Sequence, residues 1–149
     1  MKNINEIWKD VPGFENKYQV SNLGNVRSLD RTFERKYNDG RKPHLCTLQG
    51  KMMKKSIDGE GYEHVRFYVK EGKAELWKVH QLVAAAFLGH DRKAGGRNII
   101  VHHKNGKKND NRLENLEVVT RKEHTMIHVL AYATIKPYQP RKWKKNVEK

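Results

Sequence analysis

Apolar positions in the first part of the chain come as short runs cut by turn residues, and helical spacing appears in only two later stretches. Residues 6–29, EIWKDVPGFENKYQVSNLGNVRSL, alternate β-like runs with the turn signals Pro12-Gly13 and Asn22-Leu23-Gly24-Asn25. That pattern predicts a small antiparallel unit with Trp8, Phe14, Tyr18, Val20 and Val26 as its core. Residues 32–47, TFERKYNDGRKPHLCT, are polar and turn-forming and read as a mobile loop that orders on a partner. Beyond KMMKKSI, the runs GYEHVRFYVK and KAELWKVH flank Glu71-Gly72 and predict a hairpin. One strand face carries Val65, Phe67 and Val69, and the other carries Tyr62, His64, Arg66 and Tyr68. Val79, Leu82, Val83, Ala86 and Phe87 follow helical spacing, with His80 at the edge of the stripe in a hydrogen-bonding role.

A basic connector, GHDRKAGGRN at 89–98, leads into Ile99, Ile100 and Val101, a strand that ends on His102 and His103. A turn-rich stretch with Asn105, Gly106, Asn109 and Asn111 follows. Asn111 and Glu114 form an N-x-x-E cap for a short turn containing Leu113 and Leu116, a purely structural reading of Asn111. Thr120 and Glu123 form a T-x-x-E capping box, which starts a helix at Arg121 and puts His124 in its first turns. This helix is expected to run to about Ala133 with Ile127, Leu130 and Ala131 facing inward, before Pro137 and Pro140 end regular structure. Strand neighbours point to opposite faces, so His102 and His103 serve one site only where the strand ends.

A strand end and a helix start facing one ion suit phosphodiester cleavage. The scissile phosphate repels a nucleophile and its alkoxide leaves poorly; a divalent ion relieves both problems, and a neutral imidazole takes a proton from water. His128, four residues after His124, shares its helix face and is read as structural or DNA-facing in preference to a chelating role. A closed zinc finger is disfavoured because the single cysteine, Cys46, is far away in sequence and no C-x-x-C exists.

The stretch VHHKNGKKNDNRLENLEVVTRKEH resembles the HNH endonucleases of ββα-metal fold, in particular the small homing type, with H-H or D-H, then N-x-x-x-N-L, then N or H. The resemblance implies that His102 is the first metal ligand, His103 the general base, Asn115 the residue orienting that base and His124 the second metal ligand. Many relatives have Asp where Asn105 stands. It also implies one divalent ion, Mg²⁺ with Mn²⁺ as a substitute, and hydrolysis of DNA to a 5′-phosphate and a 3′-hydroxyl. One site per chain favours nicking, with the protein a monomer or a homodimer. The segments WKDVPGFE and YQVSNLGNVRS are similar to the nuclease-associated modular motif that precedes many phage and intron HNH homing enzymes. That likeness implies DNA contact by Arg27, Ser28 and the basic residues after them.

Charge supports a polyanionic partner. Lys and Arg number 31 against 17 Asp and Glu, a formal net charge of +14, which attracts phosphates and releases their counterions. Double-stranded DNA is the expected partner, with Arg27, Arg31, Arg35, Lys36, Arg41, Lys42, Lys51, Lys54, Lys55 and Arg66 as its candidate contacts. No stretch approaches the ~18 apolar residues of a membrane span, and the amino terminus MKNINEIWKD has no apolar signal core, so the expected location is the cytoplasm, or the host-cell cytoplasm for a phage protein. The expected architecture is α+β: an antiparallel β-rich DNA-contacting module with its basic loop at 1–56, a ββα-metal nuclease core at 57–135 and a basic tail at 136–149. Two other readings are a sequence-specific DNA-binding protein with a catalytically silent core and, from charge alone, an RNA-binding module.

Overall fold

The computed structural model describes residues 5–70, 73–91 and 98–135. The tail and most of the basic connector lie outside these residues. The chain opens as a meander of β1 (Trp8–Asp10), β2 (Tyr18–Ser21) and β3 (Val26–Ser28), antiparallel in that order. Tyr18, Val20 and Val26 are buried as the pattern requires, and Phe14 packs against them. Trp8 departs from the expectation: it is half-exposed, and the Arg27 guanidinium lies over its ring at 4.2 Å. A cation on an aromatic face keeps its water-side hydration, so this pair belongs at the surface.

Residues 32–47, expected as a loop, fold instead as a hairpin of β4 (Arg31–Arg35) and β5 (His44–Leu48). Its polarity hid a period of two. Thr32 pairs with Thr47, and Phe33 pairs with Cys46 on the less exposed face. The tip is tied by Arg41 to Asp39 at 2.7 Å and by Tyr37 stacked on His44.

A second three-stranded sheet follows, β6 (Ser56–Ile57), β7 (Glu63–Lys70) and β8 (Lys73–Lys78), all antiparallel. Val65 and Phe67 on β7 are buried, while Arg66 and Tyr68 on the other face are exposed. Phe67 stacks on Tyr18 with ring centroids 4.0 Å apart, Phe14 meets both rings edge-on, and the Tyr68 N–H donates to the Tyr18 hydroxyl at 3.0 Å. Helix α1 (Val79–Leu88) adds Val79, Leu82 and Val83 to the same core, which also takes in Leu116. One apolar core therefore draws on both sides of residue 56. Gly89 ends α1 in the left-handed conformation at φ 66°.

The chain then forms β9 (Ile99–His103), a loop, a 3₁₀ turn (Leu113–Asn115), β10 (Leu116–Thr120) and α2 (Arg121–Ile135). Strands β9 and β10 are antiparallel, with His103 opposite Leu116 and His102 opposite Glu117. The capping box forms: the Thr120 N–H donates to Glu123 at 2.7 Å, and the Glu123 N–H donates to the Thr120 hydroxyl at 3.2 Å. The expected inward stripe of α2 does not form. Ile127 is half-buried, but Ala131 is exposed and Leu130 is 61% exposed, as are Met126 at 58% and Val129 at 55%. The helix packs on β9 and β10, with His124 and His128 against His102 of β9.

Candidate active site

Strand β9, β10 and α2 form a ββα unit in which the end of one strand sits beside the start of one helix. The loop between the strands is held by Asn115. Its Oδ1 accepts from the Asn105 N–H at 3.0 Å, its Nδ2 donates to the Asp110 carbonyl at 2.8 Å, and its own carbonyl accepts from the Lys104 N–H at 2.9 Å. The Asp110 carboxylate takes two hydrogen bonds from Arg112, each 2.8 Å, and one from Asn105 at 2.7 Å. The Arg112 hydrogen bonds hold this carboxyl well below the usual range. Asn105 thus acts within the loop scaffold.

His102 and His103 turn to opposite sides of the strand. The His103 ring is buried between Tyr62 and His80, with centroids 6.1 Å and 5.1 Å away. Its Nε2 lies 3.2 Å from Asn111 Oδ1. The side-chain contact expected from Asn115 is made by Asn111, because the Asn115 amide is committed to the loop. Asn111 is 3% exposed and caps nothing; the residue before the 3₁₀ turn is Arg112, which makes no side-chain cap. Burial pushes the His103 pKa down, against the opposing pull of Asn111 and then Asp110, so the neutral imidazole is favoured. His80 is pushed further, to about 3, first by burial and then by the basic groups around it, His103 and Lys78 foremost. The hydrogen bond expected of His80 is not made at Nδ1, which is buried without a partner among the described residues.

On the other side, His102 meets α2. Its ring centroid is 5.1 Å from His124 and 5.6 Å from His128, and those two rings are 4.5 Å apart. One nitrogen from each of the three lies within 4.8 Å of the others. Burial is the first cause lowering the pKa of both His102 and His124, with His128 a further depressing neighbour. Lowered pKa values supply the unprotonated nitrogens that a metal needs, so the donor set fits a divalent ion. His128, expected in a structural or DNA-facing role, stands with the two expected ligands; its spacing of four from His124 was the signal.

The basic candidates divide by environment. Arg35, Lys36, Arg41, Lys42, Lys51, Lys54 and Arg66 are exposed. Arg27 is half-buried and bonded to Gln19 at 2.7 Å, and Arg31 lies over Tyr18. Lys55 is committed elsewhere, with its ammonium 2.9 Å from Glu63 and 3.3 Å from the Gly24 carbonyl. Among the described residues no helix is long and apolar enough to cross a membrane.

The paired histidines, the loop asparagines and the helix histidines, seated on a ββα unit behind a β-meander, define a class. Residues 6–68 match the NUMOD4 motif and residues 78–126 match the HNH endonuclease family, so the chain carries this motif followed by an HNH endonuclease domain. It is 34% identical over 116 residues to DNA endonuclease I-HmuI of Bacillus phage SP01, spanning 77% of this chain and 53% of that protein. It is 38% identical over 121 residues to an uncharacterized HNH endonuclease of Acanthamoeba polyphaga mimivirus, spanning 80% of this chain and 25% of the relative. A solved structure of the HNH homing endonuclease I-HmuI, concerned with its DNA binding and cleavage, superposes with a TM-score of 0.62 at 32% identity. That match covers 85% of this chain and 59% of the other. The chain thus spans about half the length, or less, of the curated relatives it matches.

Proposed function

We propose that this protein is a DNA endonuclease of the homing type, dependent on a divalent ion, that hydrolyses one phosphodiester per site to a 5′-phosphate and a 3′-hydroxyl. The observation that carries this reading is the split at the end of β9: a buried imidazole on one side and three clustered imidazoles on the other. His103 is the general base, a role suited to a ring whose burial keeps it neutral. His102, His124 and His128 hold the ion, which, when bound, supplies Lewis acidity to the phosphate and stabilises the leaving oxygen. Asn115 acts by fixing the loop that follows the base. The resemblance names Mg²⁺, with Mn²⁺ as substitute. The three-nitrogen donor set makes Mn²⁺ the better of the two, because Mg²⁺ prefers oxygen ligands and keeps its waters.

Double-stranded DNA is the substrate this reading names, supported by the net charge of +14 and by the exposed cations of the β4–β5 hairpin. A single site per chain yields a nick from a monomer, and a homodimer would place two. The test is a plasmid assay with purified protein, duplex DNA and Mn²⁺. Conversion of supercoiled to open-circular DNA is expected, absent with His103→Ala at unchanged DNA affinity. Binding without any cleavage across divalent ions would leave a DNA-binding protein with a silent core. Preference for RNA in competition would remove the DNA reading altogether.

A further inference from the structure

We propose that Asn111 and Glu63 are positioning residues that set the tautomer of His103, and that the turn at Gly24 in the amino-terminal motif holds them in place. This inference rests on the reading of His103 as the base and adds where its proton sits. The Asn111 amide has one orientation that satisfies its neighbours. Its Nδ2 lies 2.8 Å from Glu63 Oε2 and 3.5 Å from the Asn109 carbonyl. Both partners are acceptors, so the amide must turn its NH₂ group toward them. Its oxygen then faces His103 Nε2 at 3.2 Å, and an amide oxygen only accepts. Nε2 therefore carries the hydrogen, and Nδ1 is left with the lone pair that takes a proton from water.

Chemistry gives the arrangement a use. When water is deprotonated, its O–H bond breaks, an Nδ1–H bond forms, and the ring becomes a cation with Nε2–H still donating to Asn111. The Glu63 carboxylate, one amide further on, faces that charge through a dipole already aligned with it. A flipped Asn111 amide would point N–H at Nε2 and place the hydrogen on Nδ1, which disables the base.

The support for Glu63 comes from outside the ββα unit. Lys55 pairs with Glu63 at 2.9 Å and donates to the Gly24 carbonyl at 3.3 Å. Gly24 in turn packs on Asn111: a Cβ added there would lie 2.9 Å from Asn111 Cβ and 3.0 Å from its carbonyl oxygen. Gly24 also has φ +80°, which favours glycine on its own account. The Leu113 N–H donates to the Asn22 carbonyl at 2.8 Å, a second tie between the same turn and the same loop. Gly24, Lys55, Glu63 and Asn111 thus close a ring of contacts behind the base. The amino-terminal motif seats the catalytic loop in addition to any contact with DNA.

The test reads the tautomer directly. Long-range ¹H–¹⁵N spectra of the full chain, taken in chelator above the ordinary imidazole titration range, report which His103 nitrogen is protonated. Single-turnover cleavage and DNA affinity are measured on the same samples. The wild-type protein should show protonated Nε2. Asn111→Leu and Glu63→Leu should shift the ring toward protonated Nδ1 and slow cleavage by about 10- to 100-fold, a range typical of groups that orient a reactive imidazole, at DNA affinity within a few fold. Glu63→Gln retains an acceptor and should keep both the tautomer and most of the rate, which separates positioning from loss of fold. Protonated Nδ1 in the wild-type protein, or an unchanged tautomer in both leucine variants, would overturn the proposal. The expected tautomers in a protein that cuts nothing with any ion would instead overturn the nuclease reading and leave this one standing.

Discussion

The two flanks of the end of β9 are built by different means. On the His103 flank every neighbour is fixed: the ring is buried against Tyr62 and His80, its Nε2 meets Asn111, and Asn111 is tied through Glu63 and Lys55 to a turn almost ninety residues earlier in the chain. On the His102 flank the neighbours are two histidines of a helix that is otherwise largely exposed, and no hydrogen bond among the described residues ties His124 or His128 to the core. The difference follows from the jobs proposed for them. A base works only in one tautomer and orientation, so its surroundings must be rigid before substrate arrives. Three imidazoles around an ion are oriented by the ion itself, so the protein has only to bring them near one another.

Single substitutions should separate the two flanks. His103→Ala should lower the single-turnover rate by about 10²- to 10⁴-fold with DNA affinity within a few fold, since it removes a group used only in the transition state. Rate and affinity measured together check this, and equal losses in both would contradict the role. On the other flank, His124→Ala and His128→Ala should weaken apparent Mn²⁺ affinity by more than about tenfold, with excess ion restoring much of the rate. A His128→Ala protein with unchanged ion dependence would return that residue to a DNA-facing or structural role.

Burial on the His103 flank also predicts a pH dependence of stability. His80 has its folded pKa lowered to about 3, so between that value and the ordinary one near 6.5 the unfolded chain binds a proton that the folded chain does not. Stability therefore rises with pH through that window; the contribution is complete above the unfolded pKa and disappears as pH falls. Between neutral pH and about pH 5 the loss from this group is at most about 2 kcal/mol. Urea unfolding at the two pH values should show it, and His80→Leu should flatten the difference. An identical pH dependence in the variant would mean that the ring is solvated. The smallest effect belongs to the hairpin, where neutralising Lys36 and Lys42 should reduce the log-affinity against log-salt slope by about 0.9 for each DNA phosphate that these lysines neutralise in the wild type. Cleavage at low salt and saturating DNA should be untouched, because both flanks of β9 remain in place.

The parts of this molecule that were legible in its sequence are those fixed by local rules. The meander at 6–29, the helix at Val79, the strand ending on two histidines and the capping box before His124 each rest on spacing or on neighbours within four residues. The misreadings share a cause. The β4–β5 hairpin was hidden because its alternation is nearly all polar, so burial left no period to read. Asn111 fits an N-x-x-E cap in sequence, and only a glutamate 48 residues away and a buried histidine decide otherwise. The α2 stripe followed helical spacing correctly, yet among the described residues nothing covers Met126, Val129 and Leu130, which spacing alone does not reveal.

The measurement that bears most directly on the central claim is cleavage of supercoiled plasmid by protein stripped with chelator, as Mn²⁺ is added back, for wild type and for His124→Ala/His128→Ala together. The expected result is no nicking in chelator, saturable restoration for the wild type and a requirement for much higher ion in the double variant. Full nicking in excess chelator, or identical ion dependence in the two proteins, would contradict a metal-dependent nuclease built on these three histidines.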